Sequence, residues 1–129
     1  MAKDYKEWFK QSDYDYETAK IMFNSGRYFY AVFMCHLSIE KALKGLYLKT
    51  TKKVPPKIHT LNYFIEKIEL SPGKDLTDFI DNMDDAGIAT RYPETLSQIS
   101  SRYRKGNTFI ILDKTKMVLS WIKEDQTKL

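Results

Sequence analysis

The chain has 129 residues, of which 43% are hydrophobic and 29% charged, with 5 glycines and 4 prolines. This is the composition of a globular protein, and it excludes extensive disorder or low complexity. The length fits one domain over residues 1–129, and the single cysteine, Cys35, excludes an internal disulfide and fits a reducing compartment. The N-terminus has no signal-peptide pattern, and the longest apolar run, residues 28–35, is too short to span a bilayer. We therefore expect a soluble, cytoplasmic protein with no membrane partner.

The net charge of +4 is distributed unevenly along the chain. Residues 41–65 contain six lysines and no acid, whereas residues 66–85 contain seven acids and two lysines. This asymmetry permits an anionic ligand or an oppositely charged partner at the basic end. The alternative is two solvated surfaces that compensate each other.

The apolar residues of the first half of the chain follow helical spacing. A first helix begins near Tyr5 and ends at Ser25-Gly26, because glycine tolerates the left-handed backbone of a helix end. A second helix, from about Arg27 to about Thr50, is apolar on two faces. Such a helix is covered on both sides, either at the centre of a bundle or by a second subunit.

The second half predicts shorter elements. Residues 50–57 contain two consecutive prolines and form a loop, and a short helix begins after Thr60, a favourable capping residue. A fourth helix lies around residues 76–83, and its period breaks in residues 86–93, around Gly87 and Pro93. The last helix runs from about residue 108 to 123. The chain shows no alternating strand pattern, so the prediction is an all-α fold: an up-and-down antiparallel bundle of four main helices plus a short extra helix.

The second helix carries an unusual set of titratable groups within an apolar stretch, CHLSIEKALKGLY. His36, Glu40 and Lys44 are spaced by four residues and stack on one helix face; Lys41 is next to Glu40, and Tyr47 follows Lys44. A buried carboxylate without a partner would cost several kcal/mol. We predict Arg91, in the interrupted segment, as the partner of Glu40, which either ties the helix to a loop or serves a ligand or an interface.

A set of residues is distributed in a characteristic order along nearly the whole chain: Trp8, Ala19-Lys20, Gly26-Arg27-Tyr28, Ala31, Phe33, His36, Glu40-Lys41-Ala42-Leu43-Lys44, Pro55-Pro56, His59, Leu61, Arg91-Tyr92-Pro93 and Leu119-Ser120-Trp121-Ile122. This ordered set resembles the bacterial and archaeal HEPN domain family (higher eukaryotes and prokaryotes nucleotide-binding). The resemblance implies a helical bundle that forms a homodimer through its central helices. It also implies nucleotide binding or a nucleotidyltransferase partner, as in a toxin–antitoxin pair.

The resemblance places Glu40, Lys41, Lys44, His59, Arg91 and Tyr92 at the family's polar positions. Together with His36 and Tyr47 they form the predicted nucleotide- and phosphate-binding set, in which the lysines and the arginine meet phosphate and a tyrosine stacks on a base. Glu40 would orient Arg91 or Lys44. No metal and no resident cofactor are predicted. The family's frequent glutamine after the position of His36 is Leu37 here, so no role is assigned to it.

Many HEPN proteins are metal-independent ribonucleases with an arginine four to six residues before a histidine. Here Arg27 lies too far upstream of both His36 and His59, and no other arginine precedes a histidine. We therefore predict no catalytic residues. The alternatives are a metal-independent ribonuclease toxin with a different residue set, which would act on RNA, and a protein-interaction module.

Overall fold

The structure is a computed structural model that describes residues 3–124. In this part of the chain it contains six helices and no strand: α1 (Tyr5–Asn24), α2 (Tyr28–Thr51), α3 (Leu61–Lys67), α4 (Lys74–Arg91), α5 (Leu96–Arg102) and α6 (Lys105–Glu124). Four of these helices are long and two are short, so the predicted all-α bundle is confirmed. The second short helix, α5, was not predicted. None of these helices combines the length and apolar character that crossing a bilayer requires.

The long helix α2 lies at the centre of the bundle and packs against α1, α3, α4, α5 and α6. Twelve of its 24 residues are buried, in agreement with its two apolar faces. The core around it includes Ile39, Leu43 and Leu46 of α2, Phe64 of α3, and Ile122 of α6. The central helix thus supplies both the core and the side chains of the candidate site.

Helices α1 and α2 approach each other closely. The hydroxyl of Ser12 donates to the carbonyl of Ser38 at 2.7 Å, and the hydroxyl of Ser38 donates to the carbonyl of Ser12 at 2.7 Å. At Gly45 an added Cβ would lie 2.8 Å from the ring of Phe9. The small residues on α2 therefore allow backbone-to-backbone packing that larger side chains would prevent.

The predicted break around Gly87 is wrong, because α4 continues to Arg91. The break at Pro93 is confirmed, since the helix ends before this residue. Gly87 lies inside the helix and is buried. A glycine in a helix interior costs roughly 1 kcal/mol relative to alanine, but here packing requires it. An added Cβ would lie 2.5 Å from the His36 ring, so Gly87 allows that ring to lie directly against the α4 backbone.

The beginning of α3 differs from the prediction in its capping group. Thr60 occupies the capping position, but its side chain makes no capping hydrogen bond. The Asp84 carboxylate of α4 accepts from the backbone N–H groups of Leu61 (2.6 Å) and Asn62 (3.1 Å) instead. A carboxylate satisfies free N–H groups at a helix start and interacts favourably with the helix dipole. The cap therefore comes from another helix and fixes α3 against α4.

Candidate functional site

A cleft of about 350 Å³ lies between the middle of α2, the start of α3 and the second half of α4. Its walls include two imidazoles, a guanidinium, two carboxylates and a phenol; the lining residues are His36, His59, Thr60, Asp84, Asp85, Gly87, Ile88, Arg91 and Tyr92. This volume is at the lower end of the range of about 300–1,000 Å³ that is usual for small-molecule sites. The cleft can therefore hold a ligand of modest size.

Behind the cleft, Glu40 is 3% exposed and carries the charge that organises this region. Lys44 Nζ lies 3.1 Å from Glu40 Oε2, and His59 Nδ1 lies 3.1 Å from both carboxylate oxygens. Lys44 is itself only 6% exposed. A buried carboxylate requires such partners, because the loss of water would otherwise cost several kcal/mol. Glu40 is therefore neutralised from within the chain.

The predicted ion pair between Glu40 and Arg91 is wrong. The Arg91 guanidinium lies over the ring of Phe33, 5.2 Å from its centroid, and within residues 3–124 it forms no ion pair with a carboxylate. Arg91 lines the cleft, and no acidic side chain of the described residues forms an ion pair with its positive charge. The guanidinium is thus available to an anion.

The two histidines of the cleft have different environments. His36 is 2% exposed; its Nδ1 lies 3.9 Å from Glu40 Oε1, and its Nε2 lies 3.9 Å from Asp84 Oδ1. In the described part of the chain His36 Nδ1 has no hydrogen-bond partner. His59 is 56% exposed at its side chain, and because an ionised carboxylate only accepts, the bond to Glu40 places a proton on His59 Nδ1. The other ring nitrogen, Nε2, is left for a ligand.

Asp84 connects the cleft to the start of α3. Burial acts to raise the pKa of its carboxyl group, but the nearby His36 ring and the N–H groups of Leu61 and Asn62 outweigh it and hold the pKa below its ordinary value. The Asn62 side chain also donates to this carboxylate at 2.9 Å. Asp84 is therefore ionised near neutral pH and is occupied by structural hydrogen bonds, whereas its neighbour Asp85 is exposed.

The structure brings together most, but not all, of the predicted site residues. His36, His59, Arg91 and Tyr92 line the cleft, and Glu40 and Lys44 lie behind it. Lys41 pairs with Asp15 of α1 at 2.9 Å. Tyr47 packs edge-on against Phe64, with ring centroids 5.7 Å apart. Lys41 and Tyr47 thus join helices of the bundle and do not line the cleft.

Asp84, Asp85 and Ile88 also line the cleft but were not among the predicted site residues. The sequence carries a signal for two of them, because Asp84, Ile88 and Arg91 are spaced by four and three residues and share one face of a helix. The assumed break at Gly87 concealed this spacing. No group of three or more histidine, cysteine or acidic side chains between residues 3 and 124 is arranged to hold a metal ion.

The fold and the cleft define a small helical-bundle domain whose central helix buries an acid–base cluster. The family model of the HEPN domain matches residues 5–125, and the chain therefore belongs to the HEPN domain family.

The structure is similar to the crystal structure of TT1696 from Thermus thermophilus, with a TM-score of 0.79, 21% identity, and coverage of 93% of this chain and 96% of that one. It is also similar to the crystal structure of ST0689, an archaeal HEPN homologue, with a TM-score of 0.77, 22% identity, and coverage of 96% and 98%. At these identities the similarity concerns the fold. No curated protein matches the chain.

Proposed function

We propose that the cleft binds a nucleotide and that the protein acts as a nucleotide-binding HEPN domain. The observation that carries this proposal is the meeting of Arg91, His59 and Tyr92 in one cleft of about 350 Å³. Arg91 supplies donors for a phosphate group, whereas His59 donates through Nε2 only when the ring carries a proton on both nitrogens. Tyr92 is 74% exposed, and its ring can stack on a base. The resemblance noted for the sequence further supports a nucleotidyltransferase as the partner protein.

The charge of the cleft limits the phosphate content of the ligand. Arg91 and His59 face two carboxylates, those of Asp84 and Asp85, in the same cleft. This balance is unfavourable for a triphosphate, whose charge near −4 would be only partly compensated. Lys41 and Lys44 do not change the balance, because each is engaged with a carboxylate elsewhere. The expected ligand is therefore a nucleoside monophosphate or the terminal nucleotide of an RNA.

A ligand titration tests this proposal. Thermal unfolding is followed with AMP, GMP, CMP, UMP and ATP; a ligand at about a hundredfold its dissociation constant adds roughly 2.7 kcal/mol to the stability. We expect a rise of several degrees with at least one monophosphate and a smaller rise with ATP. Arg91→Ala and Tyr92→Ala should remove the rise, whereas Arg104→Ala, which changes an exposed arginine far from the cleft in sequence, should keep it. A set of monophosphates without any effect would refute the proposal.

The same titration separates binding from stability. Arg91→Ala also removes the contact with Phe33, which is worth about 0.5–1 kcal/mol. A lower melting temperature with an unchanged ligand-induced rise would mean that Arg91 only holds α4 against α2.

One observation favours a second candidate function, metal-independent RNA cleavage. Glu40 holds His59 with its proton on Nδ1, which leaves Nε2 to accept a proton as a general base. When the 2′-oxygen attacks phosphorus, Nε2 takes the hydroxyl proton, the bond from phosphorus to the 5′-oxygen breaks, and the leaving 5′-oxygen takes a proton from water. The other histidine, His36, is buried beneath Gly87 and is not exposed for that step. This candidate predicts 2′,3′-cyclic phosphate ends on a cleaved RNA, lost in His59→Gln, whereas nucleotide binding alone leaves the RNA intact.

We also propose that the protein is a homodimer and that the second copy covers the apolar rim of the cleft. Ile88 is 69% and Leu96 is 69% exposed, beside the exposed Tyr92. Leu96 of α5 shares a second cleft with Tyr30 of α2, which is 49% exposed, so exposed apolar side chains are present on α4, α5 and α2. Exposed apolar surface of this kind marks interaction sites. Light scattering should give twice the chain mass for the wild type and the chain mass for Ile88→Glu; a monomeric wild type would contradict the proposal.

A further inference from the structure

A groove of about 430 Å³ runs between α4 and α6, away from the nucleotide cleft. Both helices pack against α2, and neither packs extensively against the other. Two long neighbouring helices that are held apart in this way leave a channel along their length. The channel begins near Asp75 and extends to Asn82, a distance of about 10 Å along α4 at 1.5 Å per residue.

The side of the groove formed by α6 carries three exposed apolar side chains beside Asp113 and Lys114. Phe109 is 60%, Ile110 54% and Met117 59% exposed. Ile110 and Met117 are seven residues apart and lie on one face of the helix. On the α4 side, Leu76 and Phe79 continue the apolar surface towards the core. Three large apolar side chains exposed on one helix of a small protein indicate a surface that is covered by something else.

The rim of the groove is acidic. Asp75, Asp78 and Asp113 line it against one lysine, Lys114. Asp78 pairs with Lys74 at 3.2 Å, and both side chains are exposed, so this pair adds little to the local field. The remaining charge is negative and repels phosphate groups. A nucleic acid therefore does not fit this groove, whereas a cationic protein segment does.

We propose that the α4–α6 groove is a docking site for an amphipathic helix of another protein, with apolar residues on one face and lysine or arginine on its flanks. The groove length accommodates about two helical turns. A helix of that length presents anchors at positions i, i+3 or i+4, and i+7, the pattern by which helices bind in grooves. The apolar anchors bury the exposed side chains of α6, and the basic flanks meet the acidic rim. This docking site is independent of the nucleotide cleft and goes beyond the proposed function.

A peptide panel tests the proposal. Fluorescein-labelled amphipathic peptides of about 15 residues carry leucine at the three anchor positions and differ only in their flanks, which are lysine, glutamine or glutamate. Binding is measured by fluorescence anisotropy on the full-length protein. We expect the lysine-flanked peptide to bind most tightly, and its affinity to fall as salt rises from about 0.05 M to about 0.5 M. Equal binding of all three peptides, or none, would overturn the proposal.

Substitutions in the groove locate the binding. Ile110→Asp should weaken the lysine-flanked peptide by about tenfold or more, the loss typical of an apolar anchor. Ile21→Asp is the matched control, because Ile21 is similarly exposed, at 61%, but lies on α1. Asp113→Lys should weaken the lysine-flanked peptide and strengthen the glutamate-flanked one. Unchanged affinities in Ile110→Asp would place the peptide elsewhere and refute the groove.

Two further measurements test whether a second copy of the chain covers the groove and whether the groove affects nucleotide binding. Light scattering of Ile110→Asp should show the same mass as the wild type; a smaller mass would mean that a second copy of the chain covers the groove, which overturns the proposal. The nucleotide titration of Ile110→Asp should equal that of the wild type. Failure of the nucleotide proposal and failure of the groove proposal are thus recorded in separate measurements.

Discussion

Gly87→Ala is the substitution whose effect the structure predicts most sharply. In an exposed helix this change stabilises by about 1 kcal/mol, because alanine loses less backbone freedom than glycine. At Gly87 the new methyl group would lie 2.5 Å from both Cδ2 and Nε2 of His36, and 2.8 Å from Cε1. Movement of the ring is restricted, since it is 2% exposed and lies between Glu40 and Asp84.

The magnitude follows from these two opposing effects. Overpacking in a tight core costs about 1–3 kcal/mol, and contact with three atoms of a confined ring corresponds to the upper end of that range. After the gain in helix propensity is subtracted, Gly87→Ala should destabilise by about 2 kcal/mol. For a domain of this size that lowers the melting temperature by several degrees.

Urea unfolding followed by circular dichroism measures this difference. Gly106→Ala is the control, because Gly106 is also helical and an added Cβ there meets nothing within 4 Å; it should be neutral or stabilising. In a His36→Ala background the obstruction is gone, and Gly87→Ala should become stabilising by up to about 1 kcal/mol. If Gly87→Ala is as stable as Gly106→Ala, the His36 ring does not pack against α4 as described.

Three other properties of the buried groups can be measured. Lys44→Met leaves the Glu40 carboxylate buried with His59 alone, and we expect the free energy of unfolding in urea to fall by about 3–5 kcal/mol. The control, Lys10→Met at an exposed position, should change the free energy of unfolding little. Equal effects of the two substitutions would contradict the role of Lys44 as the partner of Glu40. Because the pKa of Asp84 is lowered in the folded state, its contribution to stability is complete above the ordinary value of 3.8 and is lost as the pH falls through the folded pKa. Asp84→Asn should therefore be less stable at pH 7 and should show a weaker loss of stability below about pH 4; a parallel pH profile would exclude this role. Burial raises the pKa of the Cys35 thiol to about 12. The folded protein should therefore resist Ellman's reagent at pH 8 and should react with it in urea. Fast reaction without urea would show that α2 opens.

Local patterns in the sequence were sufficient to predict most of the helices. The apolar period and the Ser25-Gly26 turn predicted α1, and Gly26 has the left-handed φ of 77° that this turn requires. The two apolar faces of α2 predicted that it is covered on both sides, either at the centre of the bundle or by a second subunit, and the structure shows the first arrangement. The sequence also contains a local signal for α5, the Thr-x-x-Gln pattern of a helix start in TLSQ. In the structure the Thr95 hydroxyl accepts from the Gln98 N–H at 3.1 Å. These features depend on neighbours within four residues, which a sequence displays directly.

The tertiary structure alone decided the composition of the site. The sequence placed His36, Glu40 and Lys44 on one face of α2, since spacing by four residues is a local property. It could not show that Glu40 pairs with His59 and not with Arg91, because that choice depends on how the loop before α3 folds back along α2. Glycine is unfavourable in an isolated helix, yet Gly87 remains inside α4 because the buried His36 ring occupies the space of its missing side chain. Spacing along one helix is encoded in the sequence, whereas the pairing of charges between elements is fixed only when the packed core brings them within hydrogen-bond distance.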